Sequence, residues 1–202
     1  MKPTLAKVEN PVATIWEIDP AHSSAQFSVR HMMIANVKGE FSKVTGRVEF
    51  DGENIERAFV DAIVDVNSIS TRESARDAHL KSADFFDAEK FPAMTFKSKR
   101  IGKSTNGNLK LVGELTIRGT TREVTLALEG PTPPMKDPWG NVRRGASASG
   151  KINRKDFGLT WNAALETGGV LVGDEVSITL DVELIQKPTP GIESDAAKRL
   201  KP

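Results

Sequence analysis

Hydrophobic residues in this chain recur with a period of two, and that period constrains the fold more than any other feature. The clearest run lies late in the sequence. Val176, Ile178, Leu180, Val182 and Leu184 alternate with Ser177, Thr179, Asp181 and Glu183. Successive side chains of an extended strand point to opposite faces, so such a run has one buried face and one wet face. A helix would scatter the same residues around its axis. The pattern returns at Val44, Gly46, Val48 and Phe50, and at Ala58, Val60, Ala62, Val64 and Val66. It returns again at Met94 and Phe96, at Leu109, Leu111, Gly113, Leu115 and Ile117, and at Val124, Leu126 and Leu128. It is weaker in 144–152, where one face reads Arg144, Ala146, Ala148, Gly150 and Ile152. With residues 24–37 these runs predict eight strands, and a ninth if Thr14–Ile18 also pairs.

Asp51-Gly52 and Asn106-Gly107 sit between runs as hairpin signals. One interruption is helical. Ser70-Thr71-Arg72-Glu73 fits a capping box, with Ser70 bonding forward and Glu73 reaching back, and Pro92 ends the insertion. Many short strands with one clean face each predict an all-β fold, an antiparallel barrel with a short helical insertion around residues 70–90. Small residues are frequent on the apolar faces: Gly39, Gly46, Ala62, Gly113, Ala146, Ala148 and Gly150. They either leave room for a ligand or lie beneath large neighbours.

The 202 residues divide into a leader at 1–13, a single barrel domain at 14–187 and a tail at 188–202, both ends lacking the strand period. Charge is balanced, with 28 Lys and Arg against 27 Asp and Glu, which gives no footprint for nucleic acid. There is no cysteine, so disulfides and thiolate chemistry are excluded. No segment approaches the roughly 20 apolar residues of a transmembrane helix. The first residues lack the apolar core of a secretion signal, so the expected location is the cytoplasm, or the periplasm if the numbered start is not the natural one.

Motifs for catalysis are near misses. Gly102-Lys103-Ser104 lacks the first glycine of a phosphate loop, since position 97 is Lys97. Gly145-Ala146-Ser147 lacks the closing glycine of a nucleophile elbow. His22 and His31 are too far apart along an extended chain to share a metal, and no metal is expected. His22 is read as bonded to nearby backbone, and His79 as a cap or surface pair beside Asp77. His31 shares a face with Phe27 and Val29, which raises the question of a polar group in an apolar lining. Trp139 and Trp161 fall in loops and are read as covers over a barrel end.

Several stretches carry a resemblance. They are Asp19-x-x-His22-Ser23-x-x-x-Phe27-x-Val29-x-His31 with Val37-x-Gly39-x-Phe41, then SISTRESARDAHLKSADFFDAEKFPAMTF from Ser68, GELTIRGTTREVTL from Gly113, and RKDFGLTWN from Arg154 followed by LVGDEVSITLDVEL. In this order and spacing, over most of 14–186, the chain resembles the YceI-like family. The resemblance implies an elongated, lipocalin-like eight-stranded barrel around an apolar tunnel. It implies binding of a polyisoprenoid or fatty-acid-like lipid, with no catalytic activity established for the family as a whole. Many members carry a secretion signal, and this sequence departs from them there. In such a tunnel the candidate ligand contacts are Phe27, Val29, His31, Phe41, Phe96, Ala146, Ala148 and Trp161. The expected function is binding, storage or transport of the lipid, without a cofactor and without a nucleic-acid partner, and a homodimer is expected. Two other readings compete: an enzyme acting on a bound lipid with His31 as general base, and a structural or stress-response protein whose barrel is filled.

Overall fold

The computed structural model describes residues 14–50, 54–103, 107–165 and 168–188. The leader, residues 51–53 and 104–106, and the tail beyond Pro188 lie outside the described residues, and with them Asp51, Gly52 and Asn106 of the two hairpin signals. The first strands are β1 (Thr14–Ile18), β2 (Ser24–His31), β3 (Ala35–Phe41), β4 (Val44–Phe50), β5 (Phe59–Asp65) and the two-residue β6 (Ile69–Ser70). Helix α1 (Ser74–Lys81) follows. Then come β7 (Ala93–Lys103), β8 (Leu109–Ile117), β9 (Thr120–Glu129), the two-residue β10 (Met135–Lys136), β11 (Val142–Asn153) and β12 (Val172–Lys187).

Every named strand pair is antiparallel. The order β11-β9-β8-β7-β5-β4-β1-β12 closes on itself because β12 also pairs with β11, giving a closed barrel of eight strands. The predicted count is right, but its membership differs. Thr14–Ile18 belongs to the ring, between β4 and β12. The stretch 24–37 is instead most of a hairpin. Its turn places Met32 at φ 49° and Met33 at φ 60°, and β2 pairs back onto β3 from His31 opposite Ala35 to Ala25 opposite Phe41. Turn residues at positive φ are commonly Gly, Asn or Asp, so Met-Met gave no sequence signal.

β12 is 16 residues long and uses both edges. One edge pairs with β11 from Arg143 opposite Ile185 to Asn153 opposite Glu175. The other pairs first with β1, then with β2 from Ser24 opposite Asp181 to His31 opposite Val172. β1 and β2 thus run in succession along one partner, and the β2–β3 hairpin extends the wall beyond the ring.

The helical insertion starts three residues later than predicted. Glu73 is the cap: its carboxylate accepts from the Ala75 and Arg76 N–H groups at 3.1 and 2.6 Å. Ser70 stays in β6. The helix holds the preceding strand extended, because Asp77 accepts from the Thr71 N–H at 2.8 Å and Arg76 donates to the Thr71 carbonyl at 2.9 Å.

The buried core forms two clusters. Trp16, Ile18, Val44, Phe50, Leu111 and Leu184 belong to one; Phe41, Val66, Ile69, Ile117, Phe157 and Leu159 belong to the other. The inward glycines do not hollow the barrel. A β-carbon on Gly39 would lie 2.4 Å from the Phe27 ring, and one on Gly113 would lie 2.5 Å from both the Phe96 ring and the Lys97 carbonyl. These glycines seat aromatic rings laid across the sheet. Ala146 and Ala148 also face inward, line the interior and are only partly buried.

Candidate functional site: an apolar tunnel inside the barrel

Because nearly every ring strand turns its apolar face inward, the barrel interior is walled by hydrocarbon. It holds a cavity of about 260 Å³. One water needs only about 10–15 Å³ of free space, so the void is many waters in size. Its walls give water few partners. Val44, Val48 and Phe50 come from β4; Val60, Ala62 and Val64 from β5; Met94 and Phe96 from β7. Leu111 and Leu115 of β8 and Leu126 of β9 continue the wall, and Ala146 and Ala148 of β11 with Val176, Ile178, Leu180 and Val182 of β12 complete it. Leu80, Phe85 and Phe86 of the helical insertion also reach the lining. The sequence carried a signal for them in the Phe85-Phe86 pair, but strand periodicity does not read an insertion.

Of the eight predicted contacts, Phe27, Val29, Phe41, Phe96, Ala146 and Ala148 line this cavity. Phe27 and Phe41 pack on each other at 5.7 Å between ring centroids, and Phe86 meets Phe41 edge-on at the same distance. His31 and Trp161 do not line the cavity. His31 shares the inward face of β2 but is its last residue, half-buried between Ala35 and Val172. Alternation assigns a face, not a height along the strand, and by His31 the strand has run into its turn. Trp161 lies one layer back. Its ring packs against Phe85 at 5.2 Å and edge-on against His79 at 4.7 Å, so Phe85 meets the cavity and Trp161 supports it. Trp139, expected to cover a barrel end, is 82% exposed.

Arg154 holds that supported end together. It is 5% exposed and points back under the loop that leads into β12. Its Nε donates to the Gly173 carbonyl at 2.8 Å, and Nη1 donates to the Leu159 and Trp161 carbonyls at 2.6 and 2.8 Å. Nη2 makes longer contacts, 3.3 Å each, to the Val172 carbonyl and the Asp174 carboxylate. Burial lowers the Arg154 pKa, and Asp174 partly opposes that shift. The motif containing Arg154 is visible in sequence; carbonyl partners up to 19 residues away are not.

Arg144 is the other charged residue of the lining. It comes from β11 at the Trp16 and Phe50 end, with its guanidinium carbon 5.2 and 5.3 Å from those ring centroids. Its place on the inward face was readable from alternation. Its isolation there was not.

A polar cluster lies on the outer side of the same end. Arg143 donates to Asp19 and Asp137 at 2.7 Å each, and also to Glu183. The Arg143 guanidinium, helped by His22, brings the Asp19 carboxyl down to about 2. At Asp137, burial acts upward, but bonds from Arg143 and Asn141 outweigh it and bring the value to about 2. The Arg143 pKa is raised, by Asp137 first and then by Asp19 and Glu183. His22 bonds the Asp19 carboxylate at 2.9 Å, not backbone as expected. His79 forms the surface pair, 2.9 Å from Asp84. Among the described residues, Asp19, His22 and Glu183 form one group spaced to hold a cation, but the Arg143 guanidinium already bridges its two carboxylates. The cluster is built as an internal ion pair that ties β1, β11 and β12.

Comparison with known proteins matches residues 16–184 to the model of the YceI-like domain. A UPF0312 protein of Staphylococcus aureus (strain MSSA476) is 38% identical over 170 residues, spanning 84% of this chain and 96% of that protein. The crystal structure of the Campylobacter jejuni YCEI protein superposes with a TM-score of 0.65 at 33% identity, covering 78% of this chain and 90% of that one. A polyisoprenoid binding domain from Saccharophagus degradans, implicated in plant cell wall breakdown, shares the fold with a TM-score of 0.63 at 13% identity, over 85% of this chain and 98% of that one.

Proposed function

We propose, because this chain belongs to the YceI-like family, that its barrel binds a long-chain amphiphile, a polyisoprenoid or similar lipid, and stores or carries it. The observation that carries this reading is the cavity inside the ring, to which every ring strand contributes hydrocarbon side chains. An apolar void of this size is a poor site for water and a good site for a chain. Each buried methylene contributes about 0.8 kcal/mol before costs are counted. Ordering a flexible tail opposes this, so affinity should rise with chain length less steeply than area alone implies. The fold neighbour described as a polyisoprenoid binding domain supports the isoprenoid class.

The two competing readings lose support at particular residues. A general base must reach the bound substrate, and His31 does not line the cavity. A filled barrel requires large inward side chains on β11, and that strand carries Ala146 and Ala148. Native mass spectrometry of the purified protein, alone and after incubation with farnesol, tests the proposal. A stoichiometric lipid adduct, released by organic solvent, is the expected result. A protein that carries none and retains no added isoprenoid would overturn it.

A further inference from the structure

The cavity wall holds a charge whose hydrogen-bonding capacity is not used up. Arg144 and Arg154 are the two charged residues that line it. Arg154 is saturated by backbone carbonyls. Arg144 is not. Its Nη1 donates to the Thr132 carbonyl at 3.2 Å, and its buried Nε has no hydrogen-bond partner. Among the described residues no carboxylate pairs with it; the neighbouring acids Asp19, Asp137 and Glu183 are engaged by Arg143. The Trp16 and Phe50 rings beside the guanidinium offset part of the cost of burying the cation. They supply no acceptor for an N–H. Buried donors left open are uncommon and disfavour the folded state.

The strand layout beside Arg144 gives a second observation. β11 pairs with β9 only over Ser147–Ser149, and toward Val142 it separates from that neighbour. The chain between β9 and β11 fills the gap loosely. Thr132 bonds Gly145, Met135 and Lys136 pair with Arg143 and Val142, and a groove remains outside. Arg144, Ala146, Ser147 and Val182 border both that groove and the inner cavity. Arg144 therefore lies between the inner cavity and a groove open to solvent.

We infer that Arg144 anchors the ligand's head group, and that the tunnel selects an amphiphile whose polar end carries an anionic oxygen, a phosphate or a carboxylate. The head sits at the Arg144 end. The chain runs along Ala146 and Ala148 toward Phe27 and Phe41. A guanidinium presents two parallel N–H groups to two oxygens of one anion, whereas an alcohol offers a single, weaker acceptor. The bound anion would compensate the isolated charge and occupy the open donors, while the groove keeps its remaining oxygens hydrated. This inference rests on the lipid-binding reading above and adds the polarity and chemistry of the head.

Titration calorimetry with three probes of one chain, farnesyl phosphate, farnesoic acid and farnesol, separates the terms. In the unmodified protein the anions should bind roughly ten- to a hundredfold tighter than farnesol, the range of one charge-assisted contact. Whichever of phosphate and carboxylate binds tighter identifies the head. In Arg144→Met the ratio of anion to alcohol affinity should fall to about one, and Arg144→Lys should keep part of it. Circular dichroism establishes that each variant is folded, and the lysine variant keeps the test decisive if the methionine variant is not. Equal affinity for all three probes in the unmodified protein, or a ratio unchanged in a folded Arg144→Met, would overturn the anchor and leave lipid binding standing. Failure of all three probes to bind would overturn both.

Discussion

Replacing Arg154 by methionine tests how the Phe157–Trp161 end of the barrel is held. The guanidinium makes three short bonds to carbonyls, at 2.6, 2.8 and 2.8 Å, in a residue that is 5% exposed. A hydrogen bond to a charged group contributes about 1.5–3 kcal/mol, so three sum to roughly 4.5–9 kcal/mol if each is lost in full. Two effects reduce that figure. Removing the side chain also removes a charge whose burial opposed folding, as its lowered pKa shows. Water then reaches some of the freed carbonyls. The expected net loss is about 3–5 kcal/mol, the range for breaking a buried charged contact. For a domain of this size, about 2–4 °C of midpoint per kcal/mol gives a drop of roughly 6–20 °C. Scanning calorimetry measures it, and amide exchange should show the loosening first between Leu159 and Val172. Arg154→Lys should fall between the two, because one ammonium cannot reach all three carbonyls. A methionine variant within about 3 °C of the parent, or a lysine variant equal to arginine, would refute the reasoning.

Ala148→Phe should obstruct the tunnel and weaken farnesol binding at least tenfold while the barrel keeps its circular dichroism spectrum; unchanged affinity would place Ala148 off the ligand's path. Gly113→Ala should cost about 2–3 kcal/mol in denaturant unfolding, since the new methyl meets the Lys97 carbonyl, which belongs to a paired strand and cannot rotate away. Asp19 and Asp137 titrate near 2 when folded and near their ordinary 3.8 when unfolded, so their contribution is whole above pH 3.8 and is lost as pH falls toward 2. Arg143→Met should flatten the fall in thermal midpoint between those pH values, and an unchanged acid slope would count against the ion-pair account.

Faces were legible in this sequence because alternation is local. Val44, Val48, Phe50, Ala62, Phe96, Leu126 and Leu180 all point where the period of two places them. What depends on partners was not legible. Thr14–Ile18 is too short to announce that it closes a ring, and it does so only because β12 offers it an edge. Ser70 satisfied a capping pattern, yet Glu73 caps, since Thr71 is held by Asp77 and Arg76 from one turn into the helix. The inward glycines read equally as space or as seats until Phe27 and Phe96 were seen lying over them. In the cavity itself, alternation gave the apolar faces and the resemblance implied the lining, while the roles of the two arginines rest on what surrounds each: carbonyls at Arg154, rings and one carbonyl at Arg144.

The double use of β12 bears on how the protein is made. β4, β5, β7, β8 and β9 pair each with the next and can assemble as the chain leaves the ribosome. β1, β2 and β11 each leave an edge that only β12 covers, and β12 is the last of them to be synthesised. Until it emerges, a nascent chain displays open strand edges and an exposed apolar interior, the two features that most invite association with other chains. Closure then joins residues more than 160 positions apart, such as Ile15 and Lys187, in a late step of high contact order. The vulnerable period of this protein's life is therefore the interval between synthesis of β11 and capture of β12. Chaperone dependence and inclusion-body formation should respond to substitutions in β12 more than to equally costly substitutions in β7 or β8.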